Sequence, residues 1–382
     1  MLAARAGTLA MGIVASVVVA RALPVEGRGT YYMAVAFATT AMALGHLSVE
    51  QAQTAMWAQK GRRSSLQANS VPLGMSVGTA AGVLAVGVGV AFQGHGNIPD
   101  IWLLVTACCA VPLGMSVLYG TNITVLRDRP QVAGWAMLAS GVIQCLCLVV
   151  LGVTGLLTVR LVVIVWVISF AVSLAVLVAA GGVTAGRLDL SLARATCGRG
   201  LRFHPGSAAG YLLLRSDVFL LNALGGPRDV GIYTLAVTLA ELSRLAVDVF
   251  AQVTLSRQFD ADVADSALVT ARIVRFMVLL GMASAVTTVA AVSALITPVY
   301  GHAYAEAATV VACLVPGVLL LGAGRPLSSF LLRMRSSRVV VLPSLVALVV
   351  NVGLNGVLIP RQGRSAARSP PLWRTWCSSP SR

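Results

Sequence analysis

The feature that most constrains this chain is the recurrence of apolar runs about 20 residues long, separated by short connections. A helix rises about 1.5 Å per residue, so each run can span the roughly 30 Å hydrocarbon core of a bilayer. Hydrophobic residues make up 57% of the 382 positions and charged residues only 11%. Soluble domains carry about twice that charged fraction. The sequence therefore predicts an all-α polytopic membrane protein.

About eleven transmembrane helices are predicted, in two parallel repeats of a six-helix type, the second lacking its last helix. The runs are approximately 4–20, 30–48, 70–92, 100–120, 132–154, 160–181, 206–224, 230–253, 274–297, 305–325 and 339–360. The predicted domains are an amino-terminal lobe at 1–181, a basic cytoplasmic linker at 182–205, a carboxyl-terminal lobe at 206–360 and a polar Arg/Ser/Pro tail at 361–382.

Positive charge is distributed unevenly between the connections. The formal net charge is +15, and most of the arginines in the connections between spans follow even-numbered spans. Connections after odd-numbered spans carry only Arg21, Arg28, Arg160 and Arg228. By the positive-inside rule, the even-numbered connections and the amino terminus are cytoplasmic. Because the arginines are spread over short loops, no nucleic-acid partner is expected.

The repeat rests on three short matches in the same order along both halves. Residues 29–34 match 231–236, residues 109–112 match 313–316, and residues 126–129 match 332–335. Six spans separate the copies, so the halves have the same orientation and are related by an axis along the membrane normal.

The repeat also places the counterpart of span six near residue 366. Five arginines and three prolines lie between 361 and 382, and each charge at mid-bilayer costs about 3 kcal/mol. We therefore expect this tail not to span the membrane. A truncated chain, or a shift of the reading frame near Pro360, is the favoured interpretation; an ordinary polar tail is the alternative.

Charged residues in predicted spans seven and eight are the candidate substrate-cavity residues: Arg215, Asp217, Glu241 and Arg244. Arg215 and Asp217 point about 200° apart on a helix, so each requires a partner on a neighbouring helix. Glu241, Arg244 and Asp248 share the spacing of one helix face. Arg215 with Glu241, or Asp217 with Arg244, are the candidate pairs. The arginines either bind an anionic substrate, since their fork fits phosphate oxygens, or form buried salt bridges. Ile13 takes the place of Arg215 in the first half.

Pro112 and Pro316 are the hinge candidates, because a proline within a span removes a helical hydrogen bond. Ordinary transmembrane prolines are the alternative. The glycine-rich stretches 78–89 and 317–324 are interpreted as sites of close helix packing rather than phosphate-binding loops.

Catalytic chemistry finds no support in the sequence. The connections are too short for a soluble catalytic domain, and no nucleotide-binding motif is present. The scattered histidines and the cysteine spacings predict no metal site. We therefore expect no catalytic residues, no metal and no bound cofactor.

The segment Leu221–Ala236, preceded by Arg215 and Asp217, resembles the polysaccharide biosynthesis proteins. These are the Wzx-like oligosaccharide flippases of the multidrug/oligosaccharidyl-lipid/polysaccharide exporter (MOP) superfamily. The turn Glu26–Tyr31 and the late segment Asn355–Pro360 are similar to further family segments. The resemblance implies two six-helix lobes around a central cavity, alternating access, and location in the bacterial cytoplasmic (inner) membrane. It implies an undecaprenyl-linked glycan as the substrate, with a glycan polymerase or glycosyltransferases as further partners.

Two other functions remain open at this point. An ion-coupled antiporter of the multidrug type would call for a carboxylate in the first-lobe cavity, and span one has none. An inactive membrane scaffold of a cell-wall assembly complex would accommodate the missing helix.

The predicted orientation can be tested by cysteine-accessibility labelling. Cysteines placed singly near Arg62, Arg199 and Arg335 should resist an impermeant thiol reagent in intact cells and react after permeabilisation, because these connections are cytoplasmic. A cysteine beside Arg160 is the matched control and should react in intact cells. Efficient labelling near Arg62 from outside would reverse the orientation.

Overall fold

The computed structural model describes residues 2–93, 98–181, 183, 187–244, 247, 250, 263–324, 346 and 349. Throughout those residues all regular structure is helical, which confirms the all-α prediction. The chain divides into two compact units, Met1–Arg215 and Ser216–Arg382. Each unit is described by itself, and the predicted lobe limits stay predictions.

The first unit contains nine helices in its described part and the beginning of a tenth. They are α1 Leu2–Ala22, α2 Val25–Gly45, α3 Val49–Met56, α4 Arg63–Ala91, α5 Ile101–Cys108, α6 Ala110–Leu126, α7 Pro130–Val153, α8 Val159–Ala179, α9 Leu190–Gly200 and α10 His204–Leu224. In the second unit, the described helices after α10 are α11 Pro227–Leu242, α12 Val263–Tyr300 and α13 Ala307–Ala323.

Helices correspond to ten of the eleven predicted spans, and the eleventh, 339–360, lies outside the described residues except for Val346 and Val349. Seven helical segments are long and apolar enough to cross a membrane: Val25–Met56, Lys60–Ala91, Ile101–Leu126, Pro130–Val153, Val159–Ala179, Leu268–Tyr300 and His302–Leu320. The exact number of spans stays a prediction, as do the position of the tail and the match at 332–335.

Two of the three repeat matches fall within the described residues and occupy equivalent helices. Residues 29–34 lie in the first turns of α2, and residues 231–236 lie in the first turns of α11, the second helix of the second unit. Cys109 lies at a break in the fourth predicted span and residues 110–112 begin α6 directly after it. Residues 313–316 lie in α13, the fourth helix counted from α10.

The close approach of α4 to α5 and α6 depends on glycines spaced four residues apart: Gly74, Gly78 and Gly82. A Cβ atom at Gly74 would stand 2.5 Å from the Ser116 Cα atom, and one at Gly78 would overlap the backbone of Pro112. A Cβ atom at Gly82 would come within 3.2 Å of the carbonyl oxygen of Cys108. Small residues allow helix backbones to approach closely in lipid, where burial of apolar surface gives little driving force. The packing interpretation of the 78–89 stretch is therefore correct at Gly78 and Gly82.

Polar contacts in the first unit join connections that the sequence places on the same side of the membrane. The Arg160 Nη2 atom lies 3.7 Å from the Asp100 Oδ2 atom, and both residues belong to connections after odd-numbered spans. Arg127 Nη1 donates a 2.6 Å hydrogen bond to the carbonyl oxygen of Gly181, and both follow even-numbered spans. The fourth and sixth predicted spans therefore run in the same direction, as predicted.

Part of the predicted basic linker folds as α9, which packs along α3. Its side facing the unit buries Leu192, Thr196 and Gly200, spaced four residues apart. The Asp189 carboxylate caps this helix by accepting hydrogen bonds from Ser191 Oγ at 2.6 Å and from the Leu192 N–H at 2.9 Å. These two bonds lower the pKa of Asp189, because both stabilise the charged form.

Asn69 of α4 fixes the start of α9. Its side-chain amide donates to the Asp189 carbonyl oxygen at 2.7 Å, and its Oδ1 atom accepts from the Asp189 N–H at 3.0 Å. Both polar ends of one buried amide are thus satisfied by one residue of the linker.

Substitution of Gly78 by alanine tests the glycine contact. The new methyl group would overlap the Pro112 backbone, and such overpacking typically costs about 1–3 kcal/mol. Gly87→Ala is the matched control in the same helix, because no atom lies within 4 Å of its added Cβ. We expect a lower midpoint of thermal unfolding in detergent for Gly78→Ala and no loss for Gly87→Ala. Equal stability of the two variants would contradict the contact.

Candidate functional site

Two charged residues of α10, Arg215 and Asp217, lie on either side of the sequence boundary between the two units. Arg215 is the last residue of the first unit, Asp217 belongs to the second, and both side chains are half-buried. Asp217 Oδ2 accepts a short hydrogen bond from the Tyr233 hydroxyl of α11. Its other carboxylate oxygen accepts from the Val218 N–H at 2.8 Å. The Asp217 carboxylate is therefore fixed between two neighbouring helices by a tyrosine that the sequence analysis did not select.

The predicted charged face of span eight is interrupted, because α11 ends at Leu242 and Ser243 and Arg244 form a turn. Glu241, in the last turn of α11, is exposed, whereas Arg244 is half-buried. The Cγ atom of Arg244 lies 3.1 Å from the position that a Cβ atom would take at Gly322 in α13. Gly322 thus leaves room for the arginine stem, and Asp248 lies outside the described residues.

The two hinge candidates differ in their local structure. The helical segment 101–126 is interrupted at Cys109, three residues before Pro112, whereas α13 continues through Pro316. Proline cannot donate to the carbonyl group four residues earlier, but this loss interrupts only the helical segment that contains Pro112. An apolar cavity of about 310 Å³ opens beside it, lined in part by Thr79, Val83 and Cys109. A hinge role for either proline stays a proposal.

A polar cluster that sequence reasoning missed lies at one end of the first unit. The connection between α2 and α3 carries His46, and α3 carries Glu50, whose Oε2 atom is 3.3 Å from His46 Nδ1. The rings of His46 and His204 meet edge to face with centroids 5.1 Å apart. The fully buried Tyr119 of α6 donates to the His46 carbonyl oxygen at 2.7 Å. The signal in the sequence was a histidine at the end of span two and another before span seven.

Arg28 is a second functional candidate that sequence reasoning placed in a connection. The structure puts it in the first turns of α2 with only 4% of its surface exposed. Its guanidinium group donates to the Ser16 carbonyl oxygen at 3.1 Å and to Ser16 Oγ at 3.2 Å. Arg28 therefore joins α2 to α1, and its side chain is buried rather than exposed in a loop.

The arrangement provides charged groups set among apolar helices and polar clusters at helix junctions. Within the described residues, no group of three or more His, Cys, Asp or Glu side chains is placed to hold a metal ion. The half-buried arginines can bind an anion, and the carboxylates can bind a proton or another cation.

Comparison with known proteins supports the same class. The family model of the polysaccharide biosynthesis proteins matches residues 2–255. A stretch of 68 residues is 41% identical to the oxalate:formate antiporter of Oxalobacter formigenes, covering 18% of this chain and only 16% of that protein.

Two solved structures have a similar fold. One is the inward-facing conformation of a multidrug resistance MATE family transporter of the MOP superfamily, with 14% identity and a TM-score of 0.57 over 94% of this chain and 96% of that chain. The other is MATE in complex with MaD5, with 12% identity and a TM-score of 0.60 over 97% of this chain and 95% of that chain. At these identities the likeness shows the fold alone.

Tyr233→Phe tests the bond that positions Asp217. Removing a hydrogen bond to a charged acceptor typically costs about 1.5–3 kcal/mol, so we expect a clearly lower midpoint of thermal unfolding. Tyr211→Phe is the matched control: its hydroxyl donates to the neutral Thr39 Oγ1 at 3.2 Å, and a smaller loss is expected. A Tyr233→Phe protein as stable as the parent would show that the contact contributes nothing.

Proposed function

Because the chain belongs to the family of polysaccharide biosynthesis proteins and has the fold of MOP-superfamily transporters, we propose that it is a flippase of lipid-linked glycan. In this proposal it moves an undecaprenyl-linked oligosaccharide or polysaccharide precursor across the cytoplasmic membrane by alternating access. Family and fold point to a transporter rather than an enzyme. The transport is coupled to an H⁺ or Na⁺ gradient, and the glycosyltransferases or polymerase of the same glycan are its functional partners.

The observation that carries the proposal is the presence of half-buried arginines next to apolar helices, Arg215 in α10 and Arg244 after α11. An arginine keeps its charge when it is removed from water, and its planar fork binds phosphate oxygens bidentately. A lipid-linked sugar carries its charge as a pyrophosphate between an apolar chain and a neutral glycan. Each of the two arginines is therefore proposed to bind phosphate oxygens of the substrate, and Tyr233 fixes Asp217, which follows Arg215 by two residues in α10.

An ion-coupled antiporter of the multidrug type is the second candidate. One observation favours it: the first unit contains a carboxylate, Glu50, close to His46, although span one itself carries none. Such an antiporter would bind cationic compounds through carboxylates, and Arg215 and Arg244 would then serve structure only. An inactive scaffold within a cell-wall assembly complex would need neither arginine for transport.

Substitution of the two arginines distinguishes these functions. Arg215→Ala and Arg244→Ala should each abolish complementation of a flippase-deficient strain while the protein stays at normal abundance in the membrane. Arg→Lys at either position should restore only part of the activity, because lysine is a point charge without the bidentate fork. Arg228→Ala, at an exposed position of α11, is the matched control and should complement fully.

A purely structural role predicts a different pattern. Removing one partner of a buried ion pair typically costs about 3–5 kcal/mol, so the abundance of the Arg215→Ala or Arg244→Ala protein in the membrane would fall. Normal complementation by both single alanine variants would exclude substrate binding by these arginines.

A further inference from the structure

Helix α9 carries exposed apolar side chains on the side turned away from the rest of the first unit. Leu190, its first residue, is 85% exposed, and Leu201, directly after its last residue, is 55% exposed. Eleven residues are close to three helical turns, so these two side chains lie on the same side of the helix. Leu188, just before the helix, is 62% exposed. These three residues, the α9 leucines, form the kind of apolar group that marks a surface in contact with a membrane or another molecule.

The packing of the opposite side of α9 fixes how the helix is rotated about its axis. Thr196 Oγ1 lies 3.8 Å from the sulfur atom of Met56 in α3. A Cβ atom at Gly200 would overlap the Leu47 carbonyl oxygen, so the end of α9 lies directly against the turn between α2 and α3. Asn69 holds the start of the helix with two hydrogen bonds. The outward orientation of the α9 leucines is therefore set by tertiary contacts.

Both ends of α9 lie where helices enter the membrane. The start is hydrogen-bonded to Asn69, which belongs to the segment Lys60–Ala91, and this segment is long and apolar enough to cross a membrane. The end is separated by only three residues from α10, which begins at His204 and corresponds to the seventh predicted span. Connections this short keep α9 at the membrane surface.

Basic residues surround the α9 leucines. Residues 187–204 contain one acidic residue, Asp189, and four arginines, called here the α9 arginines: Arg187, Arg194, Arg199 and Arg202. All four arginines are exposed, whereas the Asp189 carboxylate accepts the hydrogen bonds that cap α9. Arg194 follows Leu190 by four residues and lies on the same side of the helix. The apolar stem of an arginine can lie along hydrocarbon while its charged head stays among polar headgroups.

The segment that follows α3 extends the same basic surface. Lys60 and Arg62 are exposed in it, and Arg62 interacts electrostatically with Asp189 at the start of α9. Trp57, at the beginning of this segment, has the Arg63 guanidinium carbon 5.0 Å from its ring centroid. Indole rings and basic side chains are typical of the level at which a membrane meets water.

We propose that α9 and residues 57–62 form an interfacial binding site for anionic phospholipids. Helix α9 lies along the membrane surface on the side of the connections after even-numbered spans. The α9 leucines insert between the lipid acyl chains, and the α9 arginines bind the lipid phosphate groups. Such a helix binds through its buried apolar area together with electrostatic attraction, and the positive charge selects anionic over zwitterionic lipids. Lipid binding at this surface is independent of the transported substrate.

Lipid selection is tested on the full chain in nanodiscs that contain equal amounts of phosphatidylglycerol and phosphatidylcholine. Native mass spectrometry counts the lipids that stay bound after the nanodisc is removed, and we expect an excess of phosphatidylglycerol on the parent chain. This excess should be lost in the triple variant Arg194→Gln, Arg199→Gln and Arg202→Gln. The matched control, which removes as many exposed charges from connections after odd-numbered spans, should keep it: Arg21→Gln, Arg160→Gln and Arg228→Gln. An equal loss in both triple variants would overturn the proposal.

Photo-crosslinking in intact cells distinguishes a lipid from a protein partner. The photoreactive amino acid p-benzoylphenylalanine is introduced singly in place of Leu190 and of Leu201, and the adducts formed on illumination are identified by their mass. We expect phospholipid adducts at both positions, because both side chains insert between acyl chains. Adducts with another protein at these positions would overturn the lipid site, and so would equal retention of the two lipids by the parent chain. The lipid ratio of the parent chain requires no variant, so misfolding of a variant cannot produce that result.

Discussion

Close backbone contact between α4 and the α5–α6 segment is the interaction on which the first unit depends. In lipid, apolar side chains gain little by leaving their surroundings, so helices are held by van der Waals contact at short range. Gly74, Gly78 and Gly82 allow this close approach, because a side chain at any of them would collide with the facing backbone. Pro112 lies opposite Gly78 at this contact. The glycine positions of α4 therefore coincide with the interrupted part of the α5–α6 segment.

Polar groups are fixed by partners from neighbouring helices rather than left facing lipid. Arg28 donates to Ser16, Asn69 to the start of α9, and Tyr233 to Asp217. Each of these hydrogen bonds joins two helices that lie next to each other. Together they fix the orientation of polar side chains, which apolar contacts alone do not specify. Such partners are required because a charged or polar group removed from water is costly unless it is hydrogen-bonded.

Much of the fold could be predicted from periodicity and charge. The apolar runs predicted the positions of helices for ten of the eleven spans. Two of the repeat matches lie in equivalent helices of the two halves. The sites were predicted less well. The spacing of Glu241 and Arg244 assumed a continuous helix, whereas α11 ends at Leu242. The cluster of His46 and His204 was not predicted at all, because its members lie about 160 residues apart and only the packing of α10 beside the α2–α3 turn brings them together.

The sequence by itself determined that this chain is helical, where its helices lie and which connections share a side. These properties follow from the length of apolar runs and the placement of arginines, which act locally along the chain. Only the tertiary structure decided which polar atoms meet. Those contacts depend on how closely helices pack and on how each is rotated about its axis. Interhelical distance and rotation come from side chains on several helices at once, so no single segment of sequence specifies them.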